Sequence, residues 1–87
     1  MNQSYNKLER TYIERIKNLQ CSVCGSPSPS EAHHIDQKCA WLCIPLCVDC
    51  HRGKEGLHGT KALWRVYKLD ELGALGKTIE MMQKVTL

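Results

Sequence analysis

Two short stretches, Cys21-Ser-Val-Cys24-Gly25 and Pro45-Leu46-Cys47-Val-Asp-Cys50-His51, decide how this chain reads. Each holds a C-x-x-C pair whose thiolates can grip one metal ion, and structural zinc commonly takes two such pairs in a tetrahedron. Gly25 lets the backbone turn back with positive φ, so that N–H groups point at sulfur. The second pair opens a helical turn, which Gly53 and Gly56 keep short. Disulfides or a redox dithiol are the alternatives, but neither accounts for two pairs of identical spacing. A structural zinc site of Cys21, Cys24, Cys47 and Cys50 is the expectation. Cys39 and Cys43 are left over; a ligand swap is conceivable, but they read as small buried hydrophobes.

The chain has 87 residues, which suits one domain over 1–87 close to the lower limit for self-stabilisation by burial. It contains no Phe, and its apolar residues fall in separated segments, so the core is thin and needs a staple. The first 20 residues are charged and carry no apolar signal-peptide core. No apolar run reaches the roughly 18–20 residues of a membrane span. Together these predict a cytosolic setting with reduced thiols, where C-x-x-C pairs bind metal before they form disulfides. A disulfide-stapled secreted peptide is thereby disfavoured. The net charge of +3 permits a nucleic-acid partner without requiring one.

A helix is predicted over 4–19, capped by Ser4, with Tyr5, Leu8, Tyr12, Ile16 and Leu19 as its apolar stripe. Lys7, Arg10, Glu14 and Lys17 fall mainly on its other side. Residues 26–30, with Pro27 and Pro29, form a polar loop. Glu31–Ile35 reads as a short strand, 36–38 as a turn, and Trp41–Leu46 as a second strand that Pro45 confines to an edge. The helical turn from Cys47 follows. A helix over 60–69 is capped by Thr60, and a last one over 70–85 is capped by Asp70. Leu72, Leu75, Ile79 and Met82 mark the core face of this last helix, a spacing that would also suit a coiled-coil seam. The whole is a small α+β fold: a strand–loop–strand–helix core over about 20–60, flanked by an N-terminal helix and two C-terminal helices.

All four histidines lie between 33 and 58. His33 and His34 are adjacent on a strand, so their side chains point to opposite faces. They cannot serve one metal in the same way. His51 follows the second cysteine pair, so the zinc site fixes its position, and His58 returns through a Gly-rich turn.

Cys21-x-x-Cys24, Ala32-His33-His34-Ile35 and Pro45-Leu46-Cys47-x-x-Cys50-His51 together resemble the zinc-stapled form of the HNH endonucleases. The wording is closest to small phage recombination-enhancement (Ref)-like members. The likeness covers roughly residues 20–70. It implies a ββα-metal (His-Me finger) fold and a metal-dependent hydrolysis of DNA phosphodiester bonds in phage or bacterial recombination. By that resemblance His34 is the general base, while His33 and His51 are ligands of the catalytic metal. His58 is a third ligand or a phosphate contact. The metal would be Mg²⁺ or Mn²⁺, with Zn²⁺ or Ni²⁺ as further candidates. Also implied are the cytoplasm of a bacterial host, a recombination protein as candidate partner, and dimerisation as one way to cut both strands. Histidine suits the base role because its ordinary pKa of about 6.5 lets it accept a proton near neutrality. The family's middle Asn would fall near Leu42, and no Asn follows Cys24, so the orientation of His34 lacks its usual brace.

Phosphate contact would come from Arg52 and Lys54 beyond His51, and from Lys61, Arg65 and Lys68, which form a basic stripe at helical spacing. Nothing resembles base-specific readout. The rival reading is a non-catalytic zinc module that binds nucleic acid or protein; it has no need of His33, His34 and His51 beside the zinc.

Overall fold

The computed structural model describes residues 4–53 and 69–85. Its elements are α1 (Lys7–Lys17), β1 (Glu31–His34), β2 (Cys43–Leu46), α2 (Val48–Arg52) and α3 (Glu71–Val85). This is the expected small α+β arrangement. Of the predicted helix over 60–69, all but Leu69 lies outside the described residues.

α1 begins three residues later than the sequence suggested. Asn6, not Ser4, is the N-cap: its side chain accepts from the Glu9 N–H at 2.8 Å, and Glu9 Oε1 accepts from the Asn6 N–H at 2.9 Å. This reciprocal capping box satisfies two otherwise orphaned N–H groups, which a Ser4 start cannot do with the residues available. The buried face is Ile13 and Ile16 followed by Leu19, while Leu8 is exposed. The expected stripe was therefore right at Ile16 and Leu19, wrong at Leu8, and missed Ile13.

β1 and β2 pair antiparallel as a two-stranded sheet, with Glu31 opposite Leu46 and His34 opposite Cys43. Both strands are shorter than expected. Ile35 lies past β1, though its N–H still donates to the Leu42 carbonyl, and Trp41 and Leu42 belong to the connection. Pro45 is accommodated because a two-stranded sheet has only edges. Its carbonyl accepts from both the N–H and the hydroxyl of Ser22, each at 2.9 Å, which docks the first cysteine loop on β2.

β2 is buried along its whole length. On one face Ile44 and Leu46 pack with Cys21, Val23, Cys50 and Ala74. On the other, Cys43 packs with Ile16, Leu19 and Met82. Strand alternation thus gives the sheet a cysteine-loop face and an α1 face. Cys43 is a core residue, and burial pushes its thiol up to about 11.

α3 is capped by Asp70, whose carboxylate accepts from the Gly73 N–H at 2.7 Å. Its buried residues are Ala74, Thr78 and Met82. Leu72 and Ile79, assigned to the core face from their spacing, are exposed. The helix turns its small residues inward because it lies close against β2, and Thr78 is accommodated there by donating its hydroxyl to the Ala74 carbonyl at 2.8 Å.

Candidate metal centre and histidine cluster

The two cysteine pairs meet. Cys21, Cys24, Cys47 and Cys50 bring their sulfurs within 4.8 Å of one another, with Cys24 and Cys47 at 3.6 Å. Tetrahedral zinc with bonds of about 2.3 Å holds its sulfurs roughly 3.8 Å apart, so the donor set and spacing fit. The four-cysteine cluster can hold a metal ion such as zinc.

Local backbone builds each half. Gly25 has φ +80°, and its N–H donates to the Cys21 carbonyl at 3.0 Å; the Cys24 N–H approaches Cys21 Sγ at 3.5 Å. The second half is the first turn of α2, where Cys47 is the N-cap and its sulfur accepts from the Cys50 N–H at 3.4 Å. Gly53 closes α2, and a Cβ there would stand 2.3 Å from the Asp49 carbonyl oxygen. Burial raises the Cys24 thiol, but hydrogen bonds from Ser26, and from Cys47 and Cys21, outweigh it and hold Cys24 down to about 7. Cys47 and Cys50 are pushed up, first by burial; hydrogen bonds from Cys50 partly offset this at Cys47, while at Cys50 the hydrogen bond with Cys47 and the charge of Cys21 add to it. Such a crowd of thiols is relieved by a cation that takes all four as thiolates.

Beside this centre lies a second cluster. Glu31 and His33 share the cysteine-loop face of β1, and α2 carries His51 and Arg52 towards them. The His33 and His51 rings meet edge to face with centroids 5.2 Å apart. His51 Nδ1 lies 2.8 Å from Glu31 Oε1, and His33 Nε2 lies 2.7 Å from Glu71 Oε2 of α3. Arg52 forms a forked ion pair with both oxygens of Glu31. Hydrogen bonds from His51 and Arg52 hold the Glu31 carboxyl below the usual carboxylate range. An open hollow of about 490 Å³ beside His51 is lined by Lys17, Ser30, Glu31, Ala32 and Arg52.

His34 faces the other way, as strand alternation requires. Its ring stacks on Tyr5 with centroids 5.7 Å apart and planes within 10°. Its Nε2 is buried with no hydrogen-bond partner among the described residues. Burial lowers its pKa.

The structure therefore brings His33, His51 and Arg52 together and sets His34 on the α1 face. His58, Lys54, Lys61, Arg65 and Lys68 lie outside the described residues. Sequence reasoning missed Glu31, Glu71, Lys17 and Tyr5. Glu31 was detectable, since two residues before His33 on a strand is the same face. Glu71 was not, being 38 residues from its partner.

Among the described residues, the four cysteines are the group of three or more metal-ligand side chains that closes to bonding range. No helix there is long and apolar enough to cross a membrane. No family model matches the chain, and no curated protein or solved structure matches it either.

Proposed function

We propose that this chain is a metal-dependent endonuclease of HNH type, built as a ββα-metal core around a structural zinc. It hydrolyses DNA phosphodiester bonds with low sequence preference, in phage or bacterial DNA recombination or processing. The observation that carries the reading is the meeting of His33 and His51 beside the four-cysteine cluster, each imidazole oriented by a carboxylate. Histidine ligands of metals typically have their second nitrogen held in this way, which fixes ring orientation and raises basicity. A plain zinc-binding module needs no such pair.

In this reading β1 and α2 present His33 and His51 as protein ligands of a divalent cation, with His58 as a candidate third. Such a cation, when bound, polarises the scissile phosphate and stabilises the departing oxygen. Lys17, paired with Glu14, and Arg52, paired with Glu31, line the hollow beside His51 and are the cations there that an incoming phosphate could recruit. Glu31 pairs with Arg52 through both carboxylate oxygens and so fixes the position of its guanidinium. His34 is the proposed base: its lowered pKa leaves the imidazole neutral and able to accept a proton near pH 7. Tyr5 supplies the brace for its ring that the sequence lacked at position 42. Because Nε2 is buried on the α1 face, across β1 from His33 and His51, catalysis by His34 requires Tyr5 and His34 to part and the ring to turn towards the metal during turnover.

That burial is also the observation that favours the rival, a non-catalytic zinc module for nucleic acid or protein. Nicking of supercoiled plasmid with Mg²⁺, Mn²⁺ or no added metal separates the two, using wild type, His33→Ala and His34→Ala side by side. Metal-dependent nicking lost in both variants, with DNA binding retained, is the expected result. DNA binding without nicking by the wild type would favour the module.

A further inference from the structure

Trp41 has no part in the metal centre or the histidine cluster, yet it is 44% exposed, with Leu42 beside it at 36%. It sits in the connection between β1 and β2, and its ring leans on Tyr12 of α1 with centroids 4.9 Å apart and planes tilted 55°. One turn earlier on α1 is Leu8, exposed at 72%. Seven residues before Tyr12 is Tyr5, stacked on His34. An apolar and aromatic flank therefore runs from Trp41 along α1 to His34.

Over α1 and the β1–β2 connection, Lys7, Arg10, Arg15, Lys17 and Lys38 stand against Glu9, Glu14 and Asp36, an excess of cations. Asp36 turns back on the Lys38 N–H at 2.8 Å, Glu9 is engaged in the capping box, and Glu14 pairs with Lys17 at 3.5 Å. Arg15, one turn beyond Tyr12 on α1, is exposed. Lys38, three residues before Trp41, is exposed. Neither Arg15 nor Lys38 pairs with a carboxylate among the described residues.

We propose that Trp41 and Tyr12 form a stacking platform for a base of single-stranded DNA, with Arg15 and Lys38 taking the adjoining phosphates. A duplex hides its base faces, whereas an unpaired strand offers a π-face at every nucleotide, so aromatic rings framed by cations select the single strand and tolerate any sequence. A greasy protein partner would use the leucines but gain nothing from the two cations. The proposal rests on the nuclease reading for its direction only. α1 runs back from Tyr12 to Lys7, roughly 8 Å at helical rise, and Tyr5 lies two residues beyond it, across the extended Asn6 cap. A single strand stepping about 3.4 Å or more per nucleotide covers that distance in a few nucleotides, so a strand held at Trp41 reaches the proposed base.

The test is anisotropy of a fluorescent 12-nucleotide oligothymidine and of a blunt duplex of equal length, on the zinc-loaded full chain without Mg²⁺. Trp41→Ala is expected to weaken single-strand binding by about 5- to 150-fold, the range of one lost base stack, and to leave duplex binding unchanged. Trp41→Phe should restore most of the loss, whereas Trp41→Leu, which keeps the apolar contact with Tyr12, should not. A further readout that needs no Trp41 substitution uses Trp64→Phe, which leaves Trp41 as the sole tryptophan. Its fluorescence should be quenched as oligothymidine binds. Unquenched fluorescence at saturating oligothymidine, or a Trp41→Leu variant that binds like wild type, would overturn the platform. So would equal loss on both DNAs, or a self-association that Trp41→Ala abolishes while single-strand binding persists. Plasmid nicking keeps the two readings apart. A failed platform with nicking intact leaves the nuclease standing; a working platform without nicking leaves a single-strand-binding zinc module.

Discussion

At the scale of single residues, the histidine cluster shows how much a neighbour can decide. Glu71 holds His33 Nε2 by a short hydrogen bond of 2.7 Å, which fixes the orientation of the ring. Glu71→Gln keeps a side chain of the same shape but removes the charge. It is expected to weaken Mn²⁺ binding by about 10- to 100-fold, as loss of a histidine's carboxylate partner typically does. The zinc content should not change. Titration calorimetry with Mn²⁺ on zinc-loaded protein checks this, and an unchanged affinity would reduce Glu71 to a packing contact. Gly25 is the other residue whose identity is dictated locally. A Cβ there meets nothing nearer than 3.7 Å, so Gly25→Ala has room, and its cost is the backbone's: about 1–2 kcal/mol for a left-handed φ in a residue with a Cβ. Chemical denaturation of the zinc-loaded protein would read that loss as a lower midpoint.

Elements depend on their ends and on one strand. The capping box makes α1 start at Lys7, and Asn6→Ala is expected to cost about 1 kcal/mol, seen as a lower melting temperature with unchanged zinc content. β2 is the element on which both core clusters converge, with Ile44 fully buried on the cysteine-loop face. Ile44→Ala should cost about 2–5 kcal/mol. For a domain this small that is much of its stability, and urea unfolding would show it. The helical and strand positions that sequence periodicity placed correctly were those where burial follows from local pattern: Ile16, Leu19 and the alternation that splits His33 from His34. Periodicity failed on α3, where Leu72 and Ile79 had the spacing of a core stripe and are exposed. Spacing says which residues share a face, but the close approach of α3 to β2 selects the face with Ala74 and Thr78.

For the molecule as a whole, the four-cysteine cluster links the first loop to α2, and β2 lies against both. With few large buried side chains, a metal held by the four cysteines is expected to supply much of the fold's stability. Cys50→Ser, or zinc removal by a strong chelator at neutral pH, is expected to abolish the cooperative melt and most secondary structure by circular dichroism, because binding free energy at such sites is folding free energy. Acid should do the same, since protons compete with zinc for the thiolates. An unchanged melt after complete chelation would count against a structural role for the metal. What the sequence determined by itself were features set within a few residues: the two C-x-x-C loops, the positive φ at Gly25, the turn that Gly53 ends, and the opposite facing of His33 and His34. These follow from local sterics and periodicity, which any stretch of chain carries with it. The tertiary structure alone decided that Glu71 meets His33, that Tyr5 covers His34, that Trp41 stays on the surface beside Tyr12, and which face of α3 is buried. Those outcomes depend on how separate elements dock, and docking is set by total packing and by contacts between residues far apart in the chain, which no local pattern records.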